Sequence, residues 1–188
     1  MTGVYEKIRQ ALDAHHPSDV KEEHDVQLIQ SRLNKPGPWL GDSNPVGHLT
    51  GSAFVMDPLN RVLFTFHRKL ERWLQLGGHS EVHERCLSET ALREAREESG
   101  LNDLRLHPSF TPPLVDVDVH WIPAKGDKTA HQHLDFRYVF LTCMPEQIIV
   151  SSESIELKWF SIDEALRLDV DPALSRALKK LRLNLSGD

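Results

Sequence analysis

The chain has 188 residues, 39% of them hydrophobic and 27% charged, a balance that fits a soluble globular protein with room for a sizeable core. A net charge of −6 argues against a stable nucleic-acid partner or an anionic membrane surface. No apolar run reaches the roughly 18 residues needed to span a membrane. Met1–Lys7 lacks the apolar core of a signal peptide, and the two cysteines, Cys86 and Cys143, form no CxxC, so a reducing cytoplasm is the expected setting.

Val4, Ile8 and Leu12 recur every four residues and predict a helix over 4–16. Pro17-Ser18-Asp19 breaks it and supplies an N-cap. A second helix is predicted over Val20–Leu33, with Val26, Ile29 and Leu33 on one side, ended by Asn34-Lys35-Pro36-Gly37-Pro38. Residues 1–45 therefore read as a helical extension that packs on its own domain or pairs across a homodimer, and 46–188 as the catalytic domain. From His48 the pattern changes to strands, Leu49–Met56 and Arg61–His67, around a turn at Asp57–Asn60. Trp73–Leu76 makes a short strand running into Gly77-Gly78. Beyond the central helix, Leu104–Leu106, Leu114–Ile122, His133–Met144 and Leu157–Phe160 read as strands. Leu114–Ile122 alternates apolar residues with Asp116, Asp118 and His120, as a half-exposed strand does. Ser161–Glu164 is a capping box, and Asp171-Pro172 opens a last helix to about Leu183. The order predicts an α+β fold: a mixed sheet between helices.

The stretch Gly77–Leu101 carries the chemistry. A helix predicted over Leu87–Ser99 ends at Gly100, where a left-handed stop favours glycine. At about 100° per residue, Glu97 lies about 60° to one side of Glu94 and Glu98 about 40° to the other. Ala91, Leu92 and Ala95 lie beyond Glu98 and face inward. Like charges at this spacing oppose the helix unless a cation sits among them, and hard divalent ions take such oxygen ligands. Ordinary surface pairs, Glu89 with Arg93 and Arg93 with Glu97, are the plainer alternative.

Gly78, Glu84, Arg93, Glu94, Glu97, Glu98 and Gly100 together form a spaced pattern that resembles the box of the Nudix hydrolase (MutT-like) family, G-x5-E-x7-R-E-U-x-E-E-x-G-U. Gly78-x5-Glu84 and Arg93–Leu101 fit. Eight residues instead of seven separate Glu84 from Arg93, and the Gly-Gly-His entry with one extra residue is similar to a bacterial subset of the family. The extra residue is expected between His83 and Leu87, outside a regular helix. The resemblance implies an α/β/α sandwich and a Mg²⁺- or Mn²⁺-dependent hydrolase of nucleoside diphosphates linked to another group. It implies metal binding by Glu97, Glu98 and the Gly77 carbonyl, with Glu94 as ligand or base, and Arg93 holding the loop by pairing with Glu84 where the insertion permits. A non-nucleotide diphosphate, or a Nudix-shaped binding module without turnover, is the alternative.

Outside the box, His67, His79, His120, His131 and His133 flank predicted strand ends. The loop 123–129 suits a hairpin that gathers His120, His131 and His133, with His79 beside the metal site. These rings are expected to contact substrate or a second, softer metal, with pKa values raised by the acidic site. Asp116 and Asp118 are expected to be solvated. Asp135, Glu153 and Glu156 are candidate further acids, Arg137 a candidate phosphate ligand with a cross-strand ion pair as its alternative, and Trp73, Trp121 and Trp159 core or rim residues.

Overall fold

The computed structural model describes residues 2–35 and 37–186. Two helices, α1 (Thr2–Asp13) and α2 (Val20–Leu33), precede the strands β1 (Gly47–Met56), β2 (Val62–His67), β3 (Arg72–Leu74) and β4 (Leu76–His79). Then come α3 (Leu87–Ser99), β5 (Arg105–Leu106), β6 (Leu114–Ile122), β7 (His131–Leu141), β8 (Ser154–Phe160), the short α4 (Ile162–Ala165) and α5 (Pro172–Ser186). Among the described residues, no helix is long and apolar enough to cross a membrane.

The eight strands form one mixed sheet built outward from β1. It pairs in parallel with β7 over its whole length, Gly47 with Gln132 through Met56 with Leu141, and antiparallel with β4 and with the start of β2. All ten β1 positions are buried, because helices cover both faces. On one face Leu49, Ala53 and Val55, with Leu134, Phe136 and Phe140 of β7, join an apolar layer with α1, α2 and α3. On the other, Phe54, Met56 and Val139 pack under α4 and α5. Val4, Ile8, Leu12, Val26, Ile29 and Leu33 belong to the first layer, so the N-terminal stripes pack on their own chain.

Asp19 caps α2 through the Glu22 N–H, and Ser161 and Glu164 form the reciprocal capping box of α4. Asp57 shapes the β1–β2 turn by accepting from Leu59 N, Arg61 N and Arg61 Nε. The single strand expected near Trp73–Leu76 is two, β3 on β2 and β4 on β1.

β6 differs from expectation. It is buried through Val119, and Asp116 and Asp118 are buried with it. It pairs with β7 on one side only, and side chains take over its other edge. Glu22 and Asp25 of α2 accept from the Val117 and Val119 N–H groups. Lys180 and Arg176 of α5 and Lys21 of α2 donate to the carbonyls of Val115, Val117 and Val119. Asp116 accepts from Arg176 at 2.8 Å and Arg137 at 3.2 Å, and Asp118 is paired with Lys21 and His120. A bare edge would invite another chain, and here it is closed by charge.

Candidate active site

Each end of α3 is fixed by a glycine-dependent approach. A Cβ on Gly51 would lie 2.7 Å from the Leu87 carbonyl oxygen and 2.9 Å from Ala91 N, so β1 runs directly under the start of the helix. Gly100 ends it at φ +74°, its N–H donating to the Arg96 carbonyl, and Leu101 folds back fully buried. The helix is regular throughout, so the extra residue is accommodated in the loop that precedes Leu87.

The three carboxylates share a face but not an environment. Glu97 is mostly exposed, Glu94 is partly covered beside Gly78, and Glu98, on the apolar flank of the face, is 8% exposed. Glu98 accepts from the Gly77 N–H at 3.0 Å. A Cβ on Gly78 would sit 2.5–2.6 Å from the Glu94 carboxyl, so the paired glycines let the strand reach the helix acids.

Arg93 ties the site together. Its guanidinium donates to Glu84 at 3.0 Å, Glu94 at 2.7 Å, Glu97 at 3.2 Å and the His79 carbonyl at 2.8 Å. The insertion therefore does not separate Glu84 from Arg93. Glu84 also accepts from Glu81 N and Thr90 Oγ1, which pins the loop to the helix. Glu89 pairs with Arg85 instead of Arg93.

A cleft of about 760 Å³ opens at this point, lined by Gly77, Gly78, His79, Arg93, Glu94 and His133, with Lys69 and Glu153 among the facing residues. Burial, with Glu94, Glu153 and Glu97 nearby, pushes the Glu98 carboxyl up to about 8 against the Gly77 hydrogen bond. Burial raises Glu94 too, despite Arg93. Four carboxylates that repel one another, with oxygen donors at graded depth, are a donor set that fits a hard divalent cation.

Comparison with known proteins agrees with this geometry. The model of the NUDIX domain matches residues 46–181. The chain belongs to the NUDIX domain family. Its sequence is 32% identical over 140 residues to "Probable DHNTP pyrophosphohydrolase" of Lactococcus lactis subsp. cremoris, covering 73% of this chain and 77% of that one. A solved NUDIX-family hydrolase from Clostridium perfringens is 26% identical with a TM-score of 0.50, over 72% of this chain and 97% of that one. The C. elegans Ap4A hydrolase, at 18% identity, shares the fold, with a TM-score of 0.54 over 74% of this chain and 98% of that one. The protein is thus a Nudix-type diphosphohydrolase with an α+β fold, and the stretch just described is its Nudix box.

The other sequence candidates divide sharply. His79 and His133 line the cleft, and Glu153 joins the acids at its rim. The β6–β7 hairpin forms and pairs His120 with His133, but His120 is held to Asp118 and His131 to the Thr129 carbonyl. Arg137 is buried in ion pairs with Asp135, Asp116 and Asp118, the cross-strand alternative to a phosphate contact. Asp135 is consumed by Thr50, Ser52 and Arg137, and Glu156 is exposed on β8 outside the cleft lining. Trp121 is exposed outside it, and Trp73 packs on Phe66 and Phe160.

The expected rise in the histidine pKa values is also reversed. Burial lowers His79 and holds His48 down at about 4 and His133 lower still, with neighbouring rings adding to the effect. His48 was not among the sequence candidates. Its place beside His133 comes from the parallel β1–β7 register, which no local pattern announces. It is 1% exposed, and neither of its ring nitrogens has a hydrogen-bond partner. Each such group left unsatisfied costs about 1–3 kcal/mol.

Proposed function

We propose that this Nudix hydrolase cleaves a diphosphate linkage in a nucleotide or nucleotide conjugate, using Mg²⁺ or Mn²⁺, in the cytoplasm. The observation that carries the reading is the grouping of Glu94, Glu97 and Glu98 on one face of α3, with Glu94 lining the cleft and the three held by Arg93 and the Gly77-Gly78 strand. Glu97, Glu98, Glu94 and the Gly77 carbonyl would hold the ion. When bound, it would neutralise charge on the diphosphate oxygens and make a water more acidic.

The remaining work falls to the chain itself. Arg93 fixes the Glu94 carboxylate, which serves as ligand or as base toward the attacking water. Glu84 holds Arg93 and the loop, so the carboxylates are positioned before substrate arrives. Lys69 brings positive charge to the cleft and favours a polyphosphate. Residues 46–188 form the catalytic unit, and 1–45 an extension that covers one layer of its sheet. The name of the L. lactis relative makes DHNTP a compound to include in the screen. A turnover screen over DHNTP, nucleoside triphosphates, dinucleoside polyphosphates, ADP-ribose, NADH and CoA esters, with Mg²⁺ and Mn²⁺, tests it. Divalent-dependent turnover of at least one nucleotide or nucleotide conjugate is expected. Turnover restricted to compounds without a nucleotide would refute the substrate class.

A further inference from the structure

Three adjacent strands bring a second donor group to the cleft, on the sheet face opposite α3. β1 sets His48 beside His133 of β7, and β4 sets His79 beside Thr50, one alternate position along β1 from His48. Ring centroids are 4.6 Å apart for His48 and His79, 4.8 Å for His48 and His133, and 5.0 Å for His79 and His133. One ligand-capable nitrogen from each ring lies within 4.8 Å of the other two. The buried His48 ring, with both nitrogens unpartnered, packs against the other two.

We propose that His48, His79 and His133 bind one divalent transition-metal ion of the zinc type, at a site separate from the carboxylates of the Nudix box. Imidazole nitrogens suit Zn²⁺, Ni²⁺ and Cu²⁺, whereas Mg²⁺ selects oxygen. Zn–N bonds of about 2.0–2.1 Å in a tetrahedron separate the ligand nitrogens by about 3.3 Å. The Nε2 atoms of His79 and His133 already stand 3.2 Å apart. A coordinate bond also gives the buried His48 ring the partner it lacks. His131 packs beside His48 but does not belong to the set of rings whose ligand atoms meet at this distance. Three ligands leave a fourth position, and because His79 and His133 line the cleft, that position faces it. An ion there has room for water or a substrate oxygen, as open zinc sites do.

This site goes beyond the diphosphohydrolase reading and does not rest on it, so the test reads binding and not turnover. Full-length protein without a histidine tag is stripped of metal and titrated with Co²⁺, then Zn²⁺. Visible absorption of tetrahedral Co²⁺ and competition with a chromophoric chelator give geometry and stoichiometry. The E97Q/E98Q variant removes two of the three box carboxylates. H79A, at an exposed position, and H133A remove the imidazoles, with circular dichroism confirming that each folds. The proposal expects one Zn²⁺-displaceable tetrahedral Co²⁺ per chain in the wild type and in E97Q/E98Q. It expects affinity at least about 10²-fold weaker in H79A and H133A. Absence of tetrahedral Co²⁺ absorption in the wild type would mean that His79 and His133 only hydrogen-bond to each other beside a packed His48 ring, and would overturn it. So would loss of the site in E97Q/E98Q, or its retention in the folded histidine variants.

Discussion

Glu98 shows how one side chain joins stability to chemistry. Its carboxyl is pushed up to about 8 by burial and by Glu94, Glu153 and Glu97. The folded, metal-free chain therefore keeps a proton that the unfolded chain releases above its ordinary value of 4.5. The contribution of Glu98 to folding stability therefore falls as pH rises from about 4.5 to about 8. Glu98→Gln keeps an acceptor for the Gly77 N–H and removes the titration. The metal-free variant is expected to melt higher than wild type at pH 8 and to lose that part of the slope. Scanning calorimetry from pH 5 to 8 checks this, and a wild-type slope unchanged by the substitution would contradict it. Mg²⁺ binding should release protons in the same window, measurable by titration calorimetry in buffers of different ionisation heat. Gly78→Ala probes the same contact from the other side. The added methyl meets the flexible end of Glu94, so kcat should fall at least about tenfold while the melting temperature shifts by only a few degrees. Both residues were legible in the sequence, because the wheel puts Glu98 toward the apolar flank and the box demands the glycine. His48 was not, since only the register of a strand 85 positions away gives it a partner.

At the scale of elements, the closure of β6 is the feature that sequence periodicity missed. Lys21, Glu22 and Asp25 look like the solvated face of an ordinary helix, and Asp116 and Asp118 like the wet side of a strand. The structure turns those two faces toward each other and adds Arg137, Arg176 and Lys180 between them. Charge complementarity over such separations has no local signature. Burial alone would raise Glu22, but hydrogen bonds from His15 and Lys180 and the Ser18 N–H outweigh it and hold the carboxyl far below its ordinary range. Its contribution is therefore present above pH 4.5 and is lost as the medium is acidified. Glu22→Ala leaves the Val117 N–H without its partner and the Lys180 ammonium with only the Val115 carbonyl and Asp116. We expect a loss of about 3 kcal/mol, or about 6–12 °C in Tm, with kcat of the folded enzyme unchanged. A variant as stable as wild type in denaturant titration would show the edge to be held by packing alone. By contrast α2 itself, with its Asp19 cap, and the α4 capping box were readable to the residue, because caps and apolar repeats are local signals.

Over the whole molecule, the sheet works as a partition with acids on one side of β4 and imidazoles on the other. Gly78 faces Glu94 of α3, while His79, the next residue along the strand, meets His48 and His133. The Nudix box was legible because its chemistry is compressed into one loop and one helix. The extra residue in that loop is absorbed without breaking the Glu84–Arg93 pair. The surrounding wall was legible only in part, since its members come from β1, β4 and β7 and meet through long-range pairing. The most direct test of the central claim is the steady-state rate on the best substrate from the screen, with and without a divalent ion, for wild type, Glu97→Gln and Glu98→Gln. The wild type should turn over only with the ion present, and each variant should lose at least about 10²-fold in kcat while staying folded. Near wild-type turnover by both variants, or activity that survives chelation of all divalent ions, would remove the Nudix box from the mechanism.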